Sequence, residues 1–233
     1  MPKKHNHKLA PAALVLAGGM ALAGCAGTGA AQKDPTGYSR MSPEALAEHL
    51  LFNSNSFKLE EPTQEGGVAR DRLVQDETQK LCSALRNRPA DPQTAQRVKA
   101  VAQASLRYPE GGIRLGDWRI GFDLAWSGEG WRIGHRVDDH SKLKNGPGAN
   151  CYNCHDLTAD RDGGTIGPSL RGYGKRRGMS EATLRYTYEM IYNPNLHFPC
   201  TRMPRFGAKG LLTQEQIAHV MAFLLDPASP VNQ

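Results

Sequence analysis

The sequence predicts an all-α protein. Three observations carry this. Apolar residues recur at i, i+3, i+4 and i+7 spacing in several segments, and Ser, Thr or Asp stand just before those segments, where helix N-caps belong. Runs of alternating apolar and polar residues, the strand signal, are nearly absent. With 233 residues the chain has room for one domain of ordinary size plus an extension.

The N-terminus stands apart from that fold. MPKKHNHKLA carries Lys3, Lys4 and Lys8 and no acid, and the apolar run PAALVLAGGMALAGC ends in small residues. This is the outline of a secretory signal peptide over residues 1–24, too short and too rich in Gly and Ala for a stop-transfer helix. Leu22-Ala23-Gly24-Cys25 resembles the bacterial lipobox, in which the Cys is acylated and becomes the new N-terminus. That resemblance implies a periplasmic protein held to the membrane through lipid on Cys25, by burial of acyl CH₂ groups. An ordinary signal peptide with a chance Cys near the cut is the alternative. Removal of Lys3, Lys4 and Lys8 brings the formal charge of +6 down to about +3. No basic run or basic helix face remains to suggest nucleic acid.

Residues 25–41 are Gly, Ala, Thr and polar residues, the composition of a flexible tether. A helical extension is expected over 42–110. SPEALAEHLLF (42–52) opens with Ser42 as cap and Pro43 in the first turn. Residues 71–86 place Val74, Thr78, Leu81 and Leu85 at helical spacing, and 91–107 do the same more weakly with Ala95, Val98, Ala102 and Leu106. A second region, 111–233, begins with GDWRIGFDLAWSG. There Asp117 is a plausible N-cap, and Ile120, Leu124 and Ala125 share a face. Gly121 has no capping or turn role mid-helix, and a close helix–helix contact would explain it.

ANCYNCHDL follows, with Cys151, Cys154 and His155 in five positions. Zinc needs about four ligands, and no second Cys pair exists; His135 and His140 lie upstream with four other residues between them, not as a second ligand pair of similar spacing. A thioredoxin-like disulfide needs the motif after a strand, but SKLKNGPGAN reads as a loop and leaves His155 without a role. Covalent c-type haem uses every residue: two thiols form thioethers with the vinyl groups, and the His coordinates iron. Secretion agrees with that chemistry.

Two further segments support this reading. Gly167-Pro168-Ser169-Leu170 resembles the GPxL segment of class I cytochromes c, where the Pro carbonyl fixes the ligand His ring. It is also a plain Gly-Pro turn. FPCTRMPRFG places Met203 before Pro204 and resembles the distal loop of the same family, whose Met sulfur is the sixth iron ligand. Met190 and Met221 compete, but both fall in expected helix interiors, where Met fills cores. Met179 lies in a Gly-rich loop, and His197 is an alternative ligand. Between and after these segments, a helix over about 181–192 starts at Ser180. A last one, LLTQEQIAHVMAFLLDP, carries a Thr213/Gln216 capping box and an Ile217, Val220, Met221, Leu224 face. The resemblance implies a class I cytochrome c fold over 111–233 with one haem c.

Cys82 and Cys200 are left over, an even pair in an oxidising compartment, and are expected to form a disulfide stapling the extension to the Met203 loop.

The pieces GDWRIGFDLA, CYNCHDL, GTIGPSLRGYG, CTRMPRFG and LLDPASPVN together resemble the SoxX family, small cytochrome subunits of the bacterial Sox thiosulfate-oxidising system. The resemblance covers about residues 112–233. It implies a heterodimer with a SoxA-like haem subunit, the two acting as an L-cysteine S-thiosulfotransferase that couples thiosulfate to a cysteine of a SoxYZ-like carrier protein. This chain would accept the electrons and pass them to a downstream acceptor, with no catalytic residue of its own. The alternative is a free lipid-anchored cytochrome c shuttling electrons between respiratory complexes.

Overall fold

The computed structural model describes residues 34–64, 66–127, 134–137 and 139–233. The signal peptide, Cys25 and the first part of the expected tether lie outside the described residues. The chain divides into two units, residues 1–46 and 47–233. Helices are the regular elements among the described residues. The β-type pairs are two isolated bridges, Pro62–Val68 and Thr158–Arg161, so the all-α expectation holds.

In the first unit, the Asp34 carboxylate accepts the Thr36 hydroxyl and the Thr36, Gly37 and Ser39 N–H groups. Those bonds, the Thr36 hydroxyl foremost, hold its carboxyl well below the usual range. A 3-10 turn at Tyr38–Arg40 follows, and then Ser42 accepts the Ala45 N–H at the start of helix α1, Pro43–Glu48.

The second unit takes in the last residues of α1 and then a widened π turn, His49–Asn53, so the helix expected over 42–52 changes hydrogen-bond register after Glu48. The periodic stretch 71–86 is two helices, not one: α2, Ala69–Leu73, and α3, Glu77–Ala84. The break has a local cause. Asp76 accepts the Gln79 N–H at 2.9 Å, and the Gln79 side chain returns to the Asp76 N–H at 2.9 Å. This reciprocal cap satisfies two end donors and forces Asp76 out of helical geometry. Helix α4, Pro92–Ser105, starts on Asp91, which accepts the Thr94 N–H, and buries Val98 and Ala102.

Helix α5, Trp118–Trp126, crosses helix α8, Gln214–Leu225. Asp117 accepts the Arg119 N–H and so caps α5, while its own N–H donates to His219 Nδ1 of α8 at 2.8 Å. At the crossing, a Cβ built on Gly121 would lie 1.9 Å from the His219 carbonyl oxygen, so the two backbones meet where only Gly fits. Helix α7, Glu181–Tyr192, capped by Ser180, covers another side of α8. The stripe of Ile217, Val220, Met221 and Leu224 therefore understates the burial: Ala222, Phe223 and Leu225 are buried too. Each large apolar side chain in this core contributes about 1.5–3 kcal/mol relative to exposure. The short helix α6, Tyr173–Arg177, has no periodic signal of its own. The C-terminal PASPVN segment locks it to α8. Ser229 donates to Phe223 O, Asn232 donates to Leu224 O and Asp226 O, and Lys175 N–H donates to Asn232 Oδ1. The Phe223 and Leu224 carbonyls near the end of α8 are thereby satisfied without water.

The extension packs on this core within the same unit. Asn193 donates to Ser105, Tyr188 donates to Arg107 O, and Asp76 receives Arg205 and Lys209 at 2.8 and 2.6 Å. Burial raises the Asp76 carboxyl, but the hydrogen bonds from Arg205, Lys209 and the Gln79 N–H outweigh it and bring it down to about 2, below the usual carboxylate range. A depressed carboxyl stabilises the fold fully above its unfolded value and loses that contribution as pH falls through its folded value. We therefore expect wild type to exceed Asp76→Asn in stability by about 1–2 kcal/mol near neutrality, allowing for partial exposure of the pair. The gap should close between about pH 4 and pH 2. Urea unfolding at several pH values checks this; a gap independent of pH in that window would refute it.

Candidate haem site

Asn150 adopts the left-handed conformation, φ 52°, and turns the chain into a 3-10 turn at Cys151–Asn153. Cys151 O accepts the N–H groups of both Cys154 and His155, at 3.1 and 2.9 Å. This single tight turn positions all three motif side chains. Cys151 and Cys154 are not bonded to each other. Burial pushes the Cys151 thiol up to about 12, against a lowering hydrogen bond from its own backbone. Among the described residues, no three His, Cys, Asp or Glu side chains gather to hold a metal ion, which weighs against zinc.

The His155 ring is oriented. Its Nδ1 lies 2.8 Å from Pro168 O, and since a carbonyl only accepts, Nδ1 carries the proton. Nε2 is then the nitrogen with a free lone pair. Beneath the ring sits Gly167, where an added Cβ would be 2.4 Å from Cε1. The loop 163–170 wraps the turn closely: Gly164 N–H donates to Tyr152 O, Gly167 N–H to Cys154 O and Leu170 N–H to Asp156 O. Added Cβ atoms at Gly163 and Gly164 would sit 2.3 Å from His155 O and 2.1 Å from Asn153 O. Asp156 ties in the far end, accepting from Arg171 Nε at 2.8 Å and from Ser169 at 3.1 Å. Sequence reasoning passed over Gly163-Gly164 and the Asp156–Arg171 pair. The paired glycines just after the motif were the available signal for the first, and nothing local marked the second.

Met203 is half-buried and packs on the same core as Cys151, Tyr152 and Leu170. Met221 is fully buried within α8, Met190 is half-buried in α7, and Met179 is 50% exposed. His197 faces elsewhere: its Nε2 lies 2.8 Å from Glu189 Oε2 and its ring is 4.7 Å from that of Tyr186. Cys200 is bonded to Cys82, with a Cα–Cα distance of 5.4 Å. Trp126 stacks on Tyr152 within the motif turn, ring centroids 5.3 Å apart.

This donor set fits a covalently attached haem. Two unbonded thiols flank one turn, the following imidazole has its lone-pair nitrogen free and its other nitrogen anchored, and a glycine leaves room for the ring. Cys151 and Cys154 would hold the group and His155 would bind its iron. The comparisons agree. The cytochrome c family model matches residues 147–226. An uncharacterized lipoprotein of Aquifex aeolicus (strain VF5) is 42% identical over 165 residues, 69% of this chain and 74% of that protein. The chain thus belongs to the same family as that lipoprotein and carries a cytochrome c domain, the electron-transfer module whose haem c is covalently bound.

Proposed function

We propose that this protein is the electron-accepting monohaem subunit of a two-subunit enzyme that oxidatively couples thiosulfate to a carrier-protein cysteine. The observation carrying the reading is the pairing of the CTRMPRFG loop with the LLDPASPVN terminus. The first packs Met203 against the core on which Cys151 and Tyr152 also rest, and the second buries Ser229, Val231 and Asn232 as a lock on α8. These two segments set the chain apart from a generic cytochrome c.

In this reading His155 and Met203 would bind the iron of the haem held by Cys151 and Cys154. The haem would supply a one-electron iron couple. The chain's part would be to keep both side chains in place in either oxidation state, with little to reorganise. Two open cavities among the described residues, of about 600 and 370 Å³, are lined by Ser180, residues of α7, His197 and the 108–113 segment, away from the haem motif. The substrate would then be handled by a partner haem subunit.

A tagged pull-down from thiosulfate-grown cells, with haem staining and mass spectrometry, tests the assignment. A stoichiometric second c-type cytochrome, and haem reduction that needs both thiosulfate and the carrier protein, are expected. A lone haem band that ignores thiosulfate would instead leave a free electron carrier.

The lipobox and the lipoprotein relative support anchoring of the mature periplasmic protein through acylated Cys25. Cys25→Ala should move the haem-stained protein from the membrane to the soluble periplasmic fraction. Retention in the membrane after carbonate washing would refute the anchor.

A further inference from the structure

The segment bearing Met203 is tied on both sides of that residue to one short stretch of the extension. Cys200 is disulfide-bonded to Cys82. Arg202 Nη2 donates to Asn87 Oδ1 at 3.2 Å. Arg205 Nη2 and Lys209 Nζ reach the same oxygen, Oδ2 of Asp76, at 2.8 and 2.6 Å. The other Asp76 oxygen is committed to capping α3. Four residues around Met203 thus meet residues 76–87, and this stretch lies outside the 147–226 cytochrome c match.

The loop needs such support. It has no helix of its own between the 3-10 turn at Pro194–Leu196 and α8. Cys200 sits in the left-handed region at φ 63°, which a non-Gly residue keeps only when its surroundings fix it. Asn195 Oδ1 accepts the Cys200 N–H at 2.8 Å and supplies one such restraint; the disulfide supplies the other.

We propose that residues 76–87, acting through Asp76, Cys82 and Asn87, are a positioning brace that holds Met203 in its ligating position. A loop free to wander pays conformational entropy each time its sulfur docks on iron. A loop tied on both flanks has lost that freedom already, so the ligand-off state is rare. The brace rests on the assignment of Met203 as the sixth ligand. It deepens that assignment by giving the extension a task in ligation.

Imidazole added to the ferric holoprotein binds iron only when the sixth ligand is off, so its apparent affinity reports the open fraction. Asp76→Asn is the main variant, because Asn still caps a helix and only the ion pairs are lost. Cys82→Ser/Cys200→Ser and Arg202→Ala remove the other ties. Each is expected to raise imidazole affinity by about 3- to 10-fold, and the combined variant by more than any alone, as the open fraction grows. The Fe–S charge-transfer absorption should weaken in parallel. A purely structural role would lower the melting temperature and leave imidazole affinity unchanged at 25 °C; that result overturns the brace. Should the cysteine variant fail to mature, Asp76→Asn and Arg202→Ala decide the matter alone. Met203→Ala separates the two ideas: it should abolish the Fe–S absorption and bind imidazole most tightly. If the absorption survives in Met203→Ala, the ligand assignment fails and the brace falls with it. If Met203→Ala opens the iron while the brace variants match wild type, the brace alone is wrong.

Discussion

Gly121→Ala is expected to destabilise the protein by about 2–3 kcal/mol, although helix propensity alone favours Ala over Gly by about 0.5–1 kcal/mol. The two effects have opposite signs, so the measured sign decides between them. The Cβ itself, before any larger side chain is considered, would lie 1.9 Å from His219 O, 2.5 Å from His219 C and 2.9 Å from Phe223 Cβ. Two of these atoms are backbone of α8 and cannot swing aside as a side-chain tip would. Relief requires moving α5 away from α8, which opens the contacts of Leu124 and Phe223 and pulls the Asp117 N–H away from His219 Nδ1. Overpacking of a filled core costs about 1–3 kcal/mol, and a backbone clash belongs at the upper end. For a domain of this size the melting temperature should fall by about 4–12 °C. A stabilised Gly121→Ala protein would mean that the helices do not touch at this residue. The effect reaches the site as well, since Ala149 N–H donates to Leu124 O at 2.9 Å and so hangs the start of the motif turn on α5.

The crossing was legible because a glycine inside a helical pattern demands a reason, and close approach is the usual one. Helix starts at Ser180, Thr213 and Asp117 were likewise marked by side chains that satisfy end N–H groups locally. The helical spacing over 71–86 does not reveal that the stretch is two helices. The apolar spacing runs unbroken through Asp76, and only the Asp-x-x-Gln pattern betrays the interruption. At the haem site, the turn and the Gly-Pro segment are readable because each acts over a few residues. The Asp76 contacts with Arg205 and Lys209 are not, because charge pairing at long sequence separation leaves no trace in a single sequence. Helix α6 was invisible for a different reason: it is one turn long, and the Asn232 side chain and Val231 carbonyl that hold it come from the C-terminus.

Gly167→Ala should loosen the hold of His155 on iron by about 10- to 100-fold, the range seen when residues orienting a metal ligand are disturbed. Gly167 is not in the left-handed region, so the backbone accepts Ala without strain and the effect must come from the side chain. That methyl would sit 2.4 Å from Cε1, 2.6 Å from Nδ1 and 3.0 Å from Nε2 of His155, against the ring itself. The ring must tilt, and the 2.8 Å bond from Nδ1–H to Pro168 O is the contact it gives up. Cys151 and Cys154 are untouched, so covalent haem staining should stay at the wild-type level. What changes is how firmly Nε2 holds iron, which the high-spin fraction of the ferric holoprotein reads at one fixed pH; Gly167→Ala should raise that fraction. Pro168→Ala is the informative contrast, because the acceptor is a backbone carbonyl that survives the substitution; its spin state should stay near wild type. If Gly167→Ala keeps the wild-type spin state, the ring has room that the geometry denies it. If Gly167→Ala loses the covalent haem altogether, the glycine serves attachment through the turn and not orientation of the ligand ring.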